Sequence, residues 1–380
     1  SFSSIPIDLV EFDGAVYFSA NDNVDGTELW FYDGTSIAQV MDIRPGSLSS
    51  NPVQLTVAGD YLYFVCNDGT NGTELWKHDG TSPAMVADIN PGVFHSYPSV
   101  ITPAGGNSIY FVADDGTNGA ELWYCDGSTA ALAADIYSGA TGSEITEIAV
   151  NGSDVYLSAN NGSTGLELFH YDGSTASLLA DINPGATGSE LGELTIVGSI
   201  CMFHANDGTN GMELWEANSS GANMVVDLNP GAMNSNPWEL TVLGSKLYFR
   251  AIDNVVGEEL WVWNSGSVTN VADINPGAHP NSAFPKNITA IGTDLYFAAS
   301  DGSNGFEPYV YDGTSVTLLD NISSGATNSN PEVFTLLGDY VFFTAETGET
   351  GRELYHHDLL TGNIALEADI YPGATGSNPA

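Results

Sequence analysis

The feature that most constrains this chain is its period. A Glu that opens a Glu-Leu-Trp element recurs at Glu28, Glu74, Glu121, Glu167, Glu213, Glu259, Glu307 and Glu353, at intervals of 46, 47, 46, 46, 46, 48 and 46 residues. Eight copies account for nearly all 380 residues. A sequence with so regular a period builds one small unit repeatedly, and no single copy can bury its own apolar faces. One copy, Pro52 to Tyr97, contains four β-type runs: "VQLTV", "YLYFVC", "TELWKH" and "AMVADI". They are separated by Ala-Gly-Asp, by the "NDGTNG" turn and by Asp-Gly-Thr, and the copy ends in "NPG". Asp-Gly and Asn-Gly steps between apolar, aromatic runs signal hairpins. No segment carries a capped 3.6-residue period.

Four antiparallel strands in about 46 residues describe a propeller blade. The expectation is an all-β, eight-bladed β-propeller forming a single domain. Its blades are placed at about 4–51, 52–97, 98–143, 144–189, 190–236, 237–285, 286–330 and 331–380. A linear β-solenoid fits less well, because each repeat already contains its own meander. The first strand is expected near Ile7–Phe12 and the last at Ile364–Ile370. The tail "YPGATGSNPA" copies the linker that elsewhere leads into the next blade, which predicts closure without a shared strand and neighbouring termini.

The repeats carry a resemblance. "ELWFYDGT" (28–35), "ELWKHDGT" (74–81), "ELWYCDGS" (121–128) and "ELFHYDGS" (167–174) resemble the ELWxxDGT-repeat family. "ELWEANSS", "ELWVWNSG", "EPYVYDGT" and "ELYHHDLL" depart from the pattern. The resemblance implies a large secreted or surface-attached bacterial protein, often presumed adhesive. The motif is also loosely similar to quinoprotein-type propellers, in which Asp, Gly and Trp lock blades together.

Charge narrows the partners. The net charge is −42, and it arises from scarcity of base rather than excess of acid: 48 Asp and Glu face only Arg44, Lys77, Lys246, Arg250, Lys286 and Arg352. Such a surface repels nucleic acid and anionic lipid at long range. With Ser, Thr, Asn and Gly filling the exterior, it reads as extracellular or cell-surface. No run of 18 apolar residues is present, so no helical membrane span is expected. The opening "SFSSIPIDLV" lacks the basic and apolar regions of a signal peptide. Cys66, Cys125 and Cys201 offer neither a disulfide framework nor a metal-type spacing and read as small core residues.

The repeated carboxylates are the candidate chemistry. Each Glu opens a third strand and an Asp closes the fourth, 14 residues on in most copies. The hairpin between them sets the two nearly opposite. The pairs are Glu28/Asp42, Glu74/Asp88, Glu121/Asp135, Glu167/Asp181, Glu213/Asp227 and Glu259/Asp273. Glu307 faces Asn321, and a longer hairpin separates Glu353 from Asp369. Like charges set opposite each other repel unless something bridges them. Three solutions are open. Calcium could sit between them, with Asp68, Asp115 and Asp207 of the glycine-rich turns completing an oxygen shell. Backbone N–H and hydroxyl groups could hydrogen-bond them. Or they could be solvated on a rim.

The Trp series Trp30, Trp76, Trp123, Trp215 and Trp261, continued by Phe169, Tyr309 and Tyr355, reads as core between blades. Trp238 and Trp263 fall outside it and are the candidates for stacking on a ligand. The seven histidines, His78, His95, His170, His204, His279, His356 and His357, lie at unrelated repeat positions, and no nucleophile, zinc or phosphate-loop motif is present. The resulting expectation is a non-enzymatic structural or adhesive module, calcium-stabilised in one version. Its partners would be further copies or other surface and matrix proteins. The alternative is a lectin-like propeller that binds glycans between blades.

Overall fold

A computed structural model describes residues 4–277, 280–377 and 379. The fold is a β-propeller of eight blades, each a four-stranded antiparallel sheet whose strands follow chain order. The sheets run Ile7–Met41, Val53–Met85, Ser99–Ala134, Ile148–Ala180, Gly192–Val226, Trp238–Ala272, Lys286–Leu318 and Glu332–Ala368. The residues form two compact units, 4–194 with 219–221, and 195–218 with 222–380. The fifth sheet crosses the boundary.

Alternation within each strand explains the packing. In blade 2 the second strand is Tyr61–Asn67 and the third is Thr73–His78, paired from Leu62↔His78 to Asn67↔Thr73. Successive side chains point to opposite faces. Leu62, Phe64, Cys66 and Trp76 therefore meet Phe12, Tyr17, Leu29 and Ile43 of blade 1. Tyr63, Leu75 and Ile89 point the other way, onto Phe111, Ala113, Trp123 and Cys125 of blade 3. The same two-faced scheme joins blades 3 and 4 in the first unit, and blades 5 to 6, 6 to 7 and 7 to 8 in the second. Most of the core lies between sheets, so "LYF" and "ELW" read as apolar on both faces. Cys66, Cys125 and Cys201 are buried and form no disulfide.

Strands one to three of blade 2 lie where the sequence put them, but the fourth is shorter. It covers Pro83–Met85 rather than Ala84–Ile89, and the last strand of blade 8 stops at Ala368 rather than Ile370. The cause recurs. In blades 1, 3, 4, 6 and 8 the ladder shifts register just after the third-strand Leu, as between Leu29 and Trp30, and in blade 2 it ends at Trp76↔Met85. The backbone beyond then leaves the sheet: Ile89 N–H donates to Glu74 and Ile370 N–H to Glu353.

The first strands of successive blades stand beside one another within each unit. Most open with one residue in the left-handed region: Asp8, Gln54, Val100, Glu193, Glu239, Asn287 and Val333 have φ between 52° and 61°. A bulge follows, as between Val53 and Thr56. Side chains here reach the next blade: Asp8 accepts the Gln54 N–H at 2.8 Å, and Glu239 accepts the Ile288 N–H at 2.8 Å.

Candidate functional site

The repeat-wide carboxylates resolve into two different groups. All eight motif glutamates are fully buried. Each caps the linker that leaves its own blade. Glu74 accepts the Ile89 N–H at 3.0 Å, the Ser96 N–H at 3.0 Å and the Ser96 hydroxyl at 2.5 Å. Glu28 holds Ile43 and Ser50 in the same way, and Glu213 holds Leu228 and Ser235. Glu307 holds Ile322 and the Ser329 hydroxyl, and Glu353 holds Ile370 and Ser377. Glu121 and Glu167 take two consecutive N–H groups, Ile136–Tyr137 and Ile182–Asn183. Glu259 takes Ile274, Asn275 and Ala283.

The linker serine faces two ways. Ser96 gives its N–H and hydroxyl to Glu74, while its carbonyl accepts the Asp114 N–H at the end of the next blade's second strand. Ser50 and Asn67, Ser143 and Asn160, Ser235 and Ile252, and Ser329 and Glu346 repeat that carbonyl contact. One buried carboxylate thus fixes where the following blade begins. These serines lie 22 residues after the Glu in blades 1 to 5 and 7. That spacing was available in the sequence; attention to charged residues passed over it.

Burial in a low-dielectric interior disfavours the ionised form. It raises the carboxyl groups of Glu28, Glu74, Glu121 and Glu167, and takes Glu213, Glu259 and Glu307 to about 7, against the opposing pull of their hydrogen bonds. At Glu353 burial also acts upward, but the Ser377 and Ile370 donors together hold it below its ordinary range. A protonated Glu has a place for its proton. The Ser96 hydroxyl, 2.5 Å from Glu74, can accept it and pass its own hydrogen to the Thr73 carbonyl at 3.4 Å. Ser235 and Ser329 make the same relay to Met212 and Phe306.

The aspartates behave differently. Asp42, Asp88 and Asp227 are partly buried, and each accepts one N–H, from Gly46, Gly92 and Gly231. Their second carboxylate oxygen is buried without a hydrogen-bond partner. Asp135, Asp181 and Asp273 are exposed. Asp68, Asp115 and Asp207 cap their own turns: each accepts two backbone N–H groups and the side-chain amide of Asn71, Asn118 or Asn210. Among the described residues, no three His, Cys, Asp or Glu side chains converge as metal ligands. The donors aimed at each Glu put the positive ends of N–H and O–H dipoles where a bridging cation would sit. The Glu half of the pair therefore does not fit calcium, while the unpartnered oxygens of Asp42, Asp88 and Asp227 are compatible with it.

Of the two tryptophans outside the series, Trp263 is buried among Leu247, Phe249 and Val268 and presents no open face. Trp238 is half-buried, 4.4 Å from the His204 ring centroid and paired across the ladder with Arg250. Blades 6 to 8 also hold basic residues in pairings that sequence reasoning missed, because they sit at different repeat positions. Arg250 meets Glu258 at 3.5 Å, and Arg352 meets Glu332 at 3.4 Å. Lys286 lies over the Phe306 ring and bonds Asn330, which bonds Glu346. Half of the chain's six basic residues are in these pairings, each already committed to a neighbour. His279 lies outside the described residues.

No protein-family model matches the chain, and no curated protein matches its sequence. Solved structures share its fold. The computationally designed Ika8 protein superposes with a TM-score of 0.52 at 15% identity, over 90% of this chain and 94% of that one. The β-propeller domain of the Trilobed protease from Pyrococcus furiosus gives 0.46 at 9% identity, over 97% and 99%. A puromycin-hydrolyzing peptidase of Mycobacterium tuberculosis gives 0.47 at 10% identity, over 96% of this chain but 53% of that chain. At these identities the likeness concerns the fold alone.

Two predictions follow from the buried glutamates. Glu74→Ala strands the Ile89 and Ser96 donors in the interior, at about 1–3 kcal/mol for each unsatisfied group. Urea unfolding should show a loss of about 3 kcal/mol or more, and Glu74→Gln less than half of that; equal losses would show that the hydrogen bonds are not what matters. The second concerns pH. Glu213, Glu259 and Glu307 have folded values of about 7 against an ordinary 4.5. Their stabilisation is complete below the ordinary value and is lost as pH rises through 7. The turn-capping Asp33, Asp79, Asp126, Asp172 and Asp312 are held low by hydrogen bonds from Thr and Ser, so their contribution is lost only under strong acid. At high salt, where surface repulsion is screened, and with the buried His78 and His357, whose lowered values act in the opposite sense, both replaced by Gln, the melting temperature should be higher at pH 5.5 than at pH 8; the reverse order would refute the assignment.

Proposed function

We propose that the chain is a non-enzymatic, extracellular structural or adhesive module. One observation carries this reading: the motif's reactive groups are consumed in building the blades. The glutamates are turned inward onto linkers, the turn aspartates cap their own backbone, and Trp76, Trp123 and Trp261 of the series fill gaps between sheets. What faces solvent is a Ser-, Thr-, Asn- and Asp-rich surface with very little Lys or Arg, suited to protease-rich surroundings. The resemblance to ELWxxDGT repeats supports the same setting. Further copies or other surface and matrix proteins are the proposed partners. No helix among the described residues is long and apolar enough to cross a membrane.

The second reading is a glycan-binding propeller, favoured by the half-buried Trp238 beside Arg250. A glycan array separates the two. The structural reading predicts no saturable binding, together with retention on beads coated with the same protein. Saturable binding of one glycan class that Trp238→Ala abolishes would establish the lectin reading instead.

The proposed blade locks are carboxylate and hydroxyl, not metal. Thermal unfolding in excess EDTA and then in calcium, with magnesium as control, should give the same midpoint. A calcium-specific rise would assign the free oxygens of Asp42, Asp88 and Asp227 to a cation that stabilises the native state by mass action.

A further inference from the structure

One linker departs from the rest. Between the sheets of blades 2 and 3 the chain reads "NPGVFHSYP" (90–98), where other copies carry "NPGATGSE" or "NPGAMNSNP". Val93 is 70% exposed, and Phe94 and Tyr97 are each 65% exposed. The linker holds these rings in place. Where His95 stands, other blades use a short polar side chain to cap the first amide of the third strand. Ser49 accepts the Thr27 N–H at 2.8 Å, Asn234 the Met212 N–H at 2.9 Å and Asn328 the Phe306 N–H at 3.0 Å. His95 Nδ1 accepts the Thr73 N–H at 2.8 Å, and the Asn90 side chain donates to the His95 carbonyl at 3.0 Å. The imidazole so fixed stacks on Tyr97, with ring centroids 5.0 Å apart and planes 22° from parallel. The opposite face of Tyr97 is left to solvent.

Tyr97 occupies this place at a conformational cost. The equivalent residues Asn51, Glu144, Glu190, Asn236, Phe284 and Asn330 have φ between 43° and 54°, and Tyr97 has φ 45°. Asn tolerates this left-handed region, whereas a bulky side chain there is an outlier. Strain retained under an exposed ring that packs no core points to function.

Charge identifies what the rings meet. The linker passes over the turn 67–72, which carries Asp68, and Asn90 lies against Gly116 of the blade 3 turn, which carries Asp114 and Asp115. Against these stands one base, Arg44, over Gly69. The chain as a whole carries −42, a field that draws cations in. A cation is attracted to the face of an aromatic ring, and the chain already uses that contact with its own bases. Lys77 Nζ lies 4.2 Å from the Tyr61 centroid, and Lys286 Nζ lies 4.4 Å from that of Phe306. Among the described residues no Lys or Arg lies over Phe94 or Tyr97. Three exposed side chains are too few for a broad apolar interface. We propose that the stretch 93–97 is a docking site for an Arg- or Lys-bearing segment of a partner protein, whose cationic side chain lies on the open face of Tyr97. The inference rests on the adhesive reading and names the chemistry of its partner.

The test is isothermal titration of the full chain with an acetylated tetra-arginine peptide at physiological ionic strength. Tyr97→Asn and Phe94→Thr install residues that other linkers carry and leave the net charge at −42. Each should weaken binding about tenfold. Tyr97→Asn should melt at the wild-type temperature or above it, because the left-handed strain is relieved. Equal affinity in wild type and both variants would show that the charge field alone holds the peptide, and overturns the proposal. Binding of a neutral glycan at these rings, and not of the peptide, overturns it as well. A wild type that ignores the peptide yet is retained on beads coated with the same protein overturns this inference alone and leaves the adhesive reading standing.

Discussion

The structure depends on one buried hydrogen-bonded group, the carboxyl of the third-strand glutamate. A blade is stable only against its neighbours, so the linker must deliver each new sheet at a fixed offset from the last. Close-packed faces tolerate little error in that offset. The linkers are rich in Gly, Pro and Ser and have no secondary structure of their own. Their order comes from donors gathered onto a point inside the sheet: the Ile N–H that leaves the fourth strand, and the Ser N–H and hydroxyl that lead into the next blade. Aspartate in place of glutamate would fall a methylene short of both. Where the linker is lengthened, as in the Pro-rich stretch after blade 6, Ala283 N–H takes the place of the serine pair on Glu259.

This arrangement also accounts for the glycine-rich turn beside each glutamate. The linker runs directly over the turn between strands two and three. A Cβ on Gly72, at φ +80°, would lie 1.6 Å from the Phe94 carbonyl oxygen. The turn is therefore glycine for two reasons, a left-handed backbone and the close passage of the linker. The Asp ahead of it stiffens the turn from within, which explains why Asp, Gly and Glu recur together. The motif is one mechanical unit: a self-capped turn, a strand that presents the glutamate, and a linker drawn across both.

Much of this was legible in the sequence. The period set the number of blades, Asp-Gly and Asn-Gly set the hairpins, and alternation set both apolar faces. Hydrogen bonding was one of the three solutions open for the carboxylates. The extent of the fourth strand was not legible, because hydrophobicity runs on through "AMVADI" while the backbone turns away to reach Glu74. Nor could the sequence separate Glu from Asp by burial, since both are charged and both recur. The difference lies in the linker, whose serine carries no electrostatic signal. Trp263 was misjudged because a position outside the series looked exceptional; it fills the same inter-blade space as Trp261. The pairings of Arg250, Lys286 and Arg352 were invisible because these residues stand on second, first and third strands of different blades.

Native-state hydrogen exchange tests the central claim most directly. Ile89 and Ser96 sit in a surface linker, where amide protons ordinarily exchange fast. The account predicts that both are protected as strongly as the ladder amides of Leu75 and Val65, and that the exposed neighbour Val93 is not. Ile43, Ser50, Leu228 and Ser235 should behave likewise. If the Ile89 and Ser96 amides exchange at the rate of the exposed Asp79–Ser82 turn, the glutamates do not hold the linkers, and the blades are positioned by apolar packing alone.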